Sequence, residues 1–231
     1  MPLPIRHGRR AAARVRVSVS ADAFHHMAMA AAEAAIAAPD LTRESYRLLE
    51  AWNKERGTTA IRRAKLPPSL VFSETGHETG GALFGQIERT AGVTEFHVGR
   101  AITTSAIRSD DGLVQSDISA SLLADIAEAA GLPTVVGDFH THPAVDTSLR
   151  EIEEQELYSP SEIDLAGENL PHCEFSLIVT VAWAGRSKRL GADRPNLARR
   201  RIGDFLFYMT AYARGRRWSP AGEDFTLAIG G

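Results

Sequence analysis

Strand and helix patterns alternate along this sequence, which predicts a mixed α/β (α+β) fold. A strictly alternating run, Arg14 to Ser20, leads straight into an alanine-rich helical stretch. A hairpin pattern follows at 82–98, and a helix of four-residue apolar spacing precedes the extended run TVVGDFHTHP at 134–143. Period-2 and period-3.6 patterns in one chain mark a sheet with helices packed against it.

Taken in order, residues 1–13 hold no acid and several arginines and read as a basic N-terminal tail without the apolar core of a secretory signal. Val15, Val17 and Val19 then face one way and Arg14, Arg16 and Ser18 the other, as in a half-buried strand. Ser20 is placed to cap a helix through Phe24, Met27, Ala31 and Ala35 that Pro39 stops. His25 and His26 on that helix are adjacent, point apart and cannot chelate one ion. Leu41 to Gly57 predicts a second amphipathic helix with Trp52 on its packed side, and Leu70 to Phe72 a short strand. Ala82–Ile87 and Val93–Val98 form a hairpin about Ala91 and Gly92, while Gly80 and Gly81 suit a tight turn beside Glu78. Ile118, Leu122 and Ile126 predict a helix ended by Gly131 and Pro133. Phe175–Trp183 reads as a buried strand, Phe205–Tyr212 as strand or helix, and Phe225–Ile229 as a last strand. Residues 14–231 are expected to make one domain carrying inserts at about 40–77 and 145–158.

Hydrophobic content of 44% and charged content of 24% are those of a soluble globular chain, and a net charge of -3 gives no reason to expect nucleic acid. A single cysteine, Cys173, excludes a disulfide framework and fits a reducing, cytoplasmic setting. No run approaches the ~18 apolar residues of a membrane span. The arginines 199–201, 214, 216 and 217 read as a solvated face.

The chemistry concentrates between Thr134 and Asp164. In an extended segment alternate side chains share a face, so His140 and His142 point the same way and make half a metal site. After a polar, acidic insert, Pro160 and Ser161 open a helix with Asp164 in its first turn. Two imidazoles and a carboxylate suit zinc, and three N/O ligands leave the open position of a catalytic rather than a structural site. Asp146 and the Ser148/Glu151 pair are rival sources of the third ligand. No HExxH helix is present. A base is also needed, and Glu78 in HETGGALFG is the candidate. Each residue alone has a plainer explanation: a helix cap, buried histidines, a solvated turn glutamate. Their joint order favours a site.

Glu78 followed by Gly80, Gly81, Leu83 and Gly85, then Gly137-x-x-His140-x-His142-Pro143, then Pro160-Ser161-x-x-Asp164, resembles the JAMM (MPN-type) metalloproteases. The resemblance implies a curved mixed sheet flanked by helices and zinc on His140, His142 and Asp164. It implies Glu78 as general base and acid, and Ser161 holding the water or oxyanion. It further implies hydrolysis of the amide after the Gly-Gly tail of ubiquitin or a ubiquitin-like protein, often in an isopeptide bond. In bacteria, similar proteins accompany ubiquitin-like conjugation and antiphage defence systems, and others process sulfur-carrier proteins. Ser161 lies further from His142 than the family usually places its serine, which the insert over 145–158 explains. Competing classes are a non-catalytic MPN scaffold and a nucleic-acid binder resting on the arginine cluster alone.

Overall fold

The computed structural model describes residues 14–35, 78–104, 106–107, 115–116, 125, 127–144, 147–166, 175–185, 191–213, 218 and 225–230. The basic tail, the whole 40–77 insert with its expected helix and strand, residues 118, 122 and 126, Asp146, Cys173 and the arginines 214, 216 and 217 lie outside the described residues.

Strand β1 (Arg14–Val19) buries its valines and exposes or half-exposes the residues between them, as its alternation requires. The Ser20 hydroxyl accepts the Ala23 N–H at 3.1 Å and opens α1 (Ala21–Ala35). Ala23, Ala31 and Ala35 are fully buried, so the helix approaches the sheet closely and packs Phe24 and Met27 into the core. His25 and His26 stay exposed. The hairpin consists of β2 (Gly80–Thr90) and β3 (Val93–Thr104), with Gly92 at φ 84° taking the left-handed turn position. A small ladder pairs β4 (Ala106–Ile107) with β5 (Gln115–Ser116).

The second half of the chain contributes β6 (Thr134–Pro143), α2 (Leu149–Glu154), α3 (Glu162–Ala166), β7 (Ser176–Trp183), β8 (Leu197–Ile202), β9 (Phe205–Tyr212) and β10 (Phe225–Ile229). The aromatic run 205–212, open between strand and helix in the sequence, is a strand paired with β7 on one side and β8 on the other. Eight strands form one mixed sheet in the order β10-β1-β3-β2-β6-β7-β9-β8. It is parallel at β10–β1, β1–β3 and β6–β7 and antiparallel elsewhere. Strand twist accumulates over such a sheet until its ends meet. Here Leu227 N–H reaches the Pro195 carbonyl at 2.6 Å and Arg200 reaches the Ile229 carbonyl at 3.3 Å, leaving a nearly closed barrel.

Helix α1 lies across β3, β6 and β7 and closes the main core. On the other face Ile152 and Tyr158, from the 145–158 insert, pack against Ala182, Leu206 and Tyr208. The insert is therefore a roof over β7, β9 and β8. No helix among the described residues is long and apolar enough to cross a membrane.

The expected turn at Gly80 and Gly81 is not there. Both glycines lie inside β2 with no positive φ, and what Gly81 supplies is close approach: a Cβ on it would overlap the Ile102 carbonyl and press on the Phe139 ring. Backbone cannot yield as a side-chain tip does, so Gly81→Ala is expected to cost about 2 kcal/mol, read as a lower urea midpoint at unchanged slope. An unchanged midpoint would show that the hairpin tolerates the methyl group.

Candidate metal centre

Strand β6 lies inside the sheet between β2 and β7 and carries both histidines to its C-terminal end. Period-2 alternation puts them on one face, opposite Ile178 and Thr180 of β7. Asp164 arrives from a separate segment and is aimed by a reciprocal cap at the start of α3. Its Oδ2 accepts the Ser161 N–H at 2.7 Å, and the Ser161 Oγ accepts the Asp164 N–H at 3.2 Å. The carboxylate then meets both rings, with His140 Nε2 to Oδ1 at 3.1 Å and His142 Nε2 to Oδ2 at 3.8 Å. The two Nε2 atoms stand 3.1 Å apart.

These separations test whether an ion fits. Donors about 2.0–2.1 Å from a tetrahedral ion stand roughly 3.3 Å from one another; the two Nε2 atoms are near that spacing, and with one Asp164 oxygen the three donor atoms all lie within 4.8 Å of one another. His140, His142 and Asp164 form a cluster able to hold a metal ion. The rival Ser148/Glu151 pair serves α2 instead: the Ser148 Oγ accepts the Glu151 N–H at 3.2 Å and Glu151 is exposed. A second His/carboxylate group, Glu88, Glu95 and His97, sits on the outer face of the hairpin, where Arg16 already holds Glu95 at 2.8 Å.

The charge states suit ligation. Burial foremost, with the charge of His140 adding to it, brings His142 down to about 4 against the pull of Asp164 and a bond to the Leu157 backbone, so the ring is neutral at pH 7. Burial would raise Asp164, but the His140 hydrogen bond and charge and both Ser161 contacts outweigh it and hold the carboxyl well below its ordinary range. A neutral His142 and an ionised Asp164 are protonation states that ligation of a divalent cation needs.

Glu78 is brought to the same place by the β2–β6 ladder. Gly80 pairs with His140, and Thr79 continues the pairing through its N–H to Thr141 Oγ1 at 3.0 Å and its carbonyl to Thr141 N–H at 2.9 Å. The next residue back, Glu78, is half-buried. Burial chiefly, with Asp164 adding and His140 opposing, pushes its carboxyl up to about 7. Such a group takes and gives up a proton with equal ease near neutrality. Ser161 is exposed, and its hydroxyl oxygen serves as the helix cap.

The arginine cluster departs from expectation at one residue. Arg199, expected on a solvated face, is buried with its side chain 2% exposed and paired to Glu153 at 2.9 Å. Arg200 and Arg201 are likewise bonded within the chain, to Asp193 and to the Gly203 carbonyl. Among the described arginines only Arg199 departs from a solvated face, because the strand turns it under the insert, while Arg200 and Arg201 stay partly exposed.

No protein-family model matches this sequence, and no curated protein matches it. The geometry is that of a three-donor cluster with the half-buried Glu78 carboxyl beside it.

Proposed function

We propose that this chain is a zinc-dependent hydrolase of the JAMM (MPN) type that cuts the amide after the Gly-Gly tail of a ubiquitin-like protein. The observation that carries the reading is the convergence of His140, His142 and Asp164 beside a half-buried Glu78. The mixed, curved sheet with α1 against its core face agrees with it.

His140, His142 and Asp164 would hold the zinc, which when bound supplies Lewis acidity, easing ionisation of water and polarising a carbonyl. Glu78 takes the proton from the attacking water and passes it to the departing amine, a transfer its carboxyl near 7 suits in both directions. Ser161 keeps its own hydrogen available, because its oxygen is the partner of the Asp164 amide. It donates that hydrogen to the developing oxyanion, a contact worth roughly 3–4 kcal/mol where a single donor has been removed from such a site. The Ser161 cap holds the Asp164 carboxylate in orientation.

The setting we favour is a bacterial ubiquitin-like conjugation or antiphage defence system in the cytoplasm, with processing of a sulfur-carrier protein as the alternative substrate. Zinc-loaded protein is to be offered a panel of ubiquitin-like and sulfur-carrier proteins, each bearing a reporter amide after its Gly-Gly end. Release from ubiquitin-like members is the expected result. Release from sulfur carriers alone moves the substrate to that class, and no release from a zinc-loaded chain contradicts the hydrolase.

A further inference from the structure

Between the two histidines β6 carries Thr141, whose side chain takes over a bond that a backbone carbonyl makes in a regular ladder. The register Gly81↔Phe139 and Gly80↔His140 brings Thr79 opposite Thr141. A hydrogen-bonded pair of an antiparallel ladder exchanges two N–H···O=C bonds. Here one of them is regular, with the Thr141 N–H donating to the Thr79 carbonyl at 2.9 Å. In place of the other, the Thr79 N–H donates to Thr141 Oγ1 at 3.0 Å. The chain thus joins the ladder at Thr79, one residue before β2 begins at Gly80 and directly after Glu78.

Strand alternation turns Thr141 away from the metal face, to the side of Phe139 and beside Val179 in the main core, and it is buried there. A hydroxyl so placed costs free energy unless it is bonded, and the bond it makes is to the amide next to Glu78. A β-branched side chain is stiff at χ1, so the place of Oγ1 follows that of the β6 backbone. That backbone also bears His140 and His142. The segment carrying the proposed base is therefore referenced, through one hydroxyl, to the strand carrying two of the three metal donors.

We infer that Thr141 is a positioning residue for Glu78: by tying the Thr79 amide to β6 through its hydroxyl, it fixes where Glu78 stands against the metal centre. The inference rests on the hydrolase reading above, in which Glu78 moves the proton. Thr141 is not one of the three donors, so its hydroxyl can be removed with the ligand set in place.

The test compares wild type, Thr141→Val, Thr141→Ser, Glu78→Gln and the double variant Thr141→Val/Glu78→Gln. Three quantities are read: reporter release from the zinc-loaded protein, zinc affinity by chelator competition, and hydrogen exchange of the Thr79 amide. Valine keeps the shape and removes the acceptor, whereas serine keeps the acceptor. Thr141→Val is expected to lower kcat on the order of 100-fold, the cost of misplacing a catalytic group by about 1 Å, with KM and zinc affinity unchanged. Its Thr79 amide should exchange faster than in wild type. Thr141→Ser should recover most of the rate and the slow exchange. In the Glu78→Gln background valine should cost nothing further, because a residue that acts through another has no effect once that other is gone. Wild type that binds no zinc or releases no reporter overturns the hydrolase reading and this inference with it. With an active wild type, three results overturn the positioning role and leave the hydrolase standing: an undiminished kcat in Thr141→Val, an equal loss from valine with and without Glu78, or a loss of rate matched by a loss of zinc affinity. An amide of Thr79 that exchanges alike in wild type and Thr141→Val refutes the bond itself. Should Thr141→Val fail to fold, Thr141→Ala, which removes the same acceptor, decides by the same criteria.

Discussion

Replacing Glu78 by glutamine is expected to slow amide hydrolysis by about 10²–10⁴-fold while zinc remains bound in the wild-type amount. The substitution keeps size and an acceptor oxygen but removes the ability to carry a proton. None of the three donors is altered, so metal content separates this variant from one that has lost its centre. A pH profile sharpens the point. Burial raises the Glu78 carboxyl to about 7 in the metal-free chain, and the working form is the carboxylate, so activity should rise with pH. Zinc's positive charge favours the ionised form, which places the midpoint of the acid limb at or below that value when the ion is bound. Glutamine should abolish that limb together with the rate. A Glu78→Gln protein that hydrolyses at the wild-type rate would remove Glu78 from the chemistry.

The second large effect is expected at Asp164. Asparagine there can still accept the Ser161 N–H through its carbonyl oxygen, so the start of α3 is preserved and only the anionic donor is lost. Zinc affinity should fall on the order of 100-fold or more, and hydrolysis with it. The melting temperature of the metal-free protein should fall as well, because the contacts that hold the Asp164 carboxyl below its ordinary range stabilise the folded chain at neutral pH. Glu151→Gln is the paired control, since Glu151 meets Ser148 and not the histidines. Loss of zinc in the Glu151 variant with retention in Asp164→Asn would move the third ligand into the insert.

How far the sequence could be read depended on how local each cause was. The face shared by His140 and His142 follows from strand periodicity, and the Ser161/Asp164 pairing from the spacing of a helix cap, so both are legible in the sequence and both are present in the structure. The alternation of β1 and the Ser20 cap of α1 are local in the same sense. Gly81 was misjudged because a tight turn and a close backbone approach both select glycine, and only the Ile102 carbonyl across the hairpin distinguishes them. Arg199 was misjudged because its partner Glu153 lies 46 residues away, beyond any window of charge patterning.

In the mechanism we propose, hydrolysis depends on one metal ion held by His140, His142 and Asp164. The most direct measurement strips the protein with a chelator, removes the chelator, and follows reporter release from a Gly-Gly amide as zinc is returned. Activity absent from the stripped protein and restored in full at a single equivalent is the expected result. Hydrolysis that persists in the stripped chain, or that stays absent when one equivalent is bound, would contradict it.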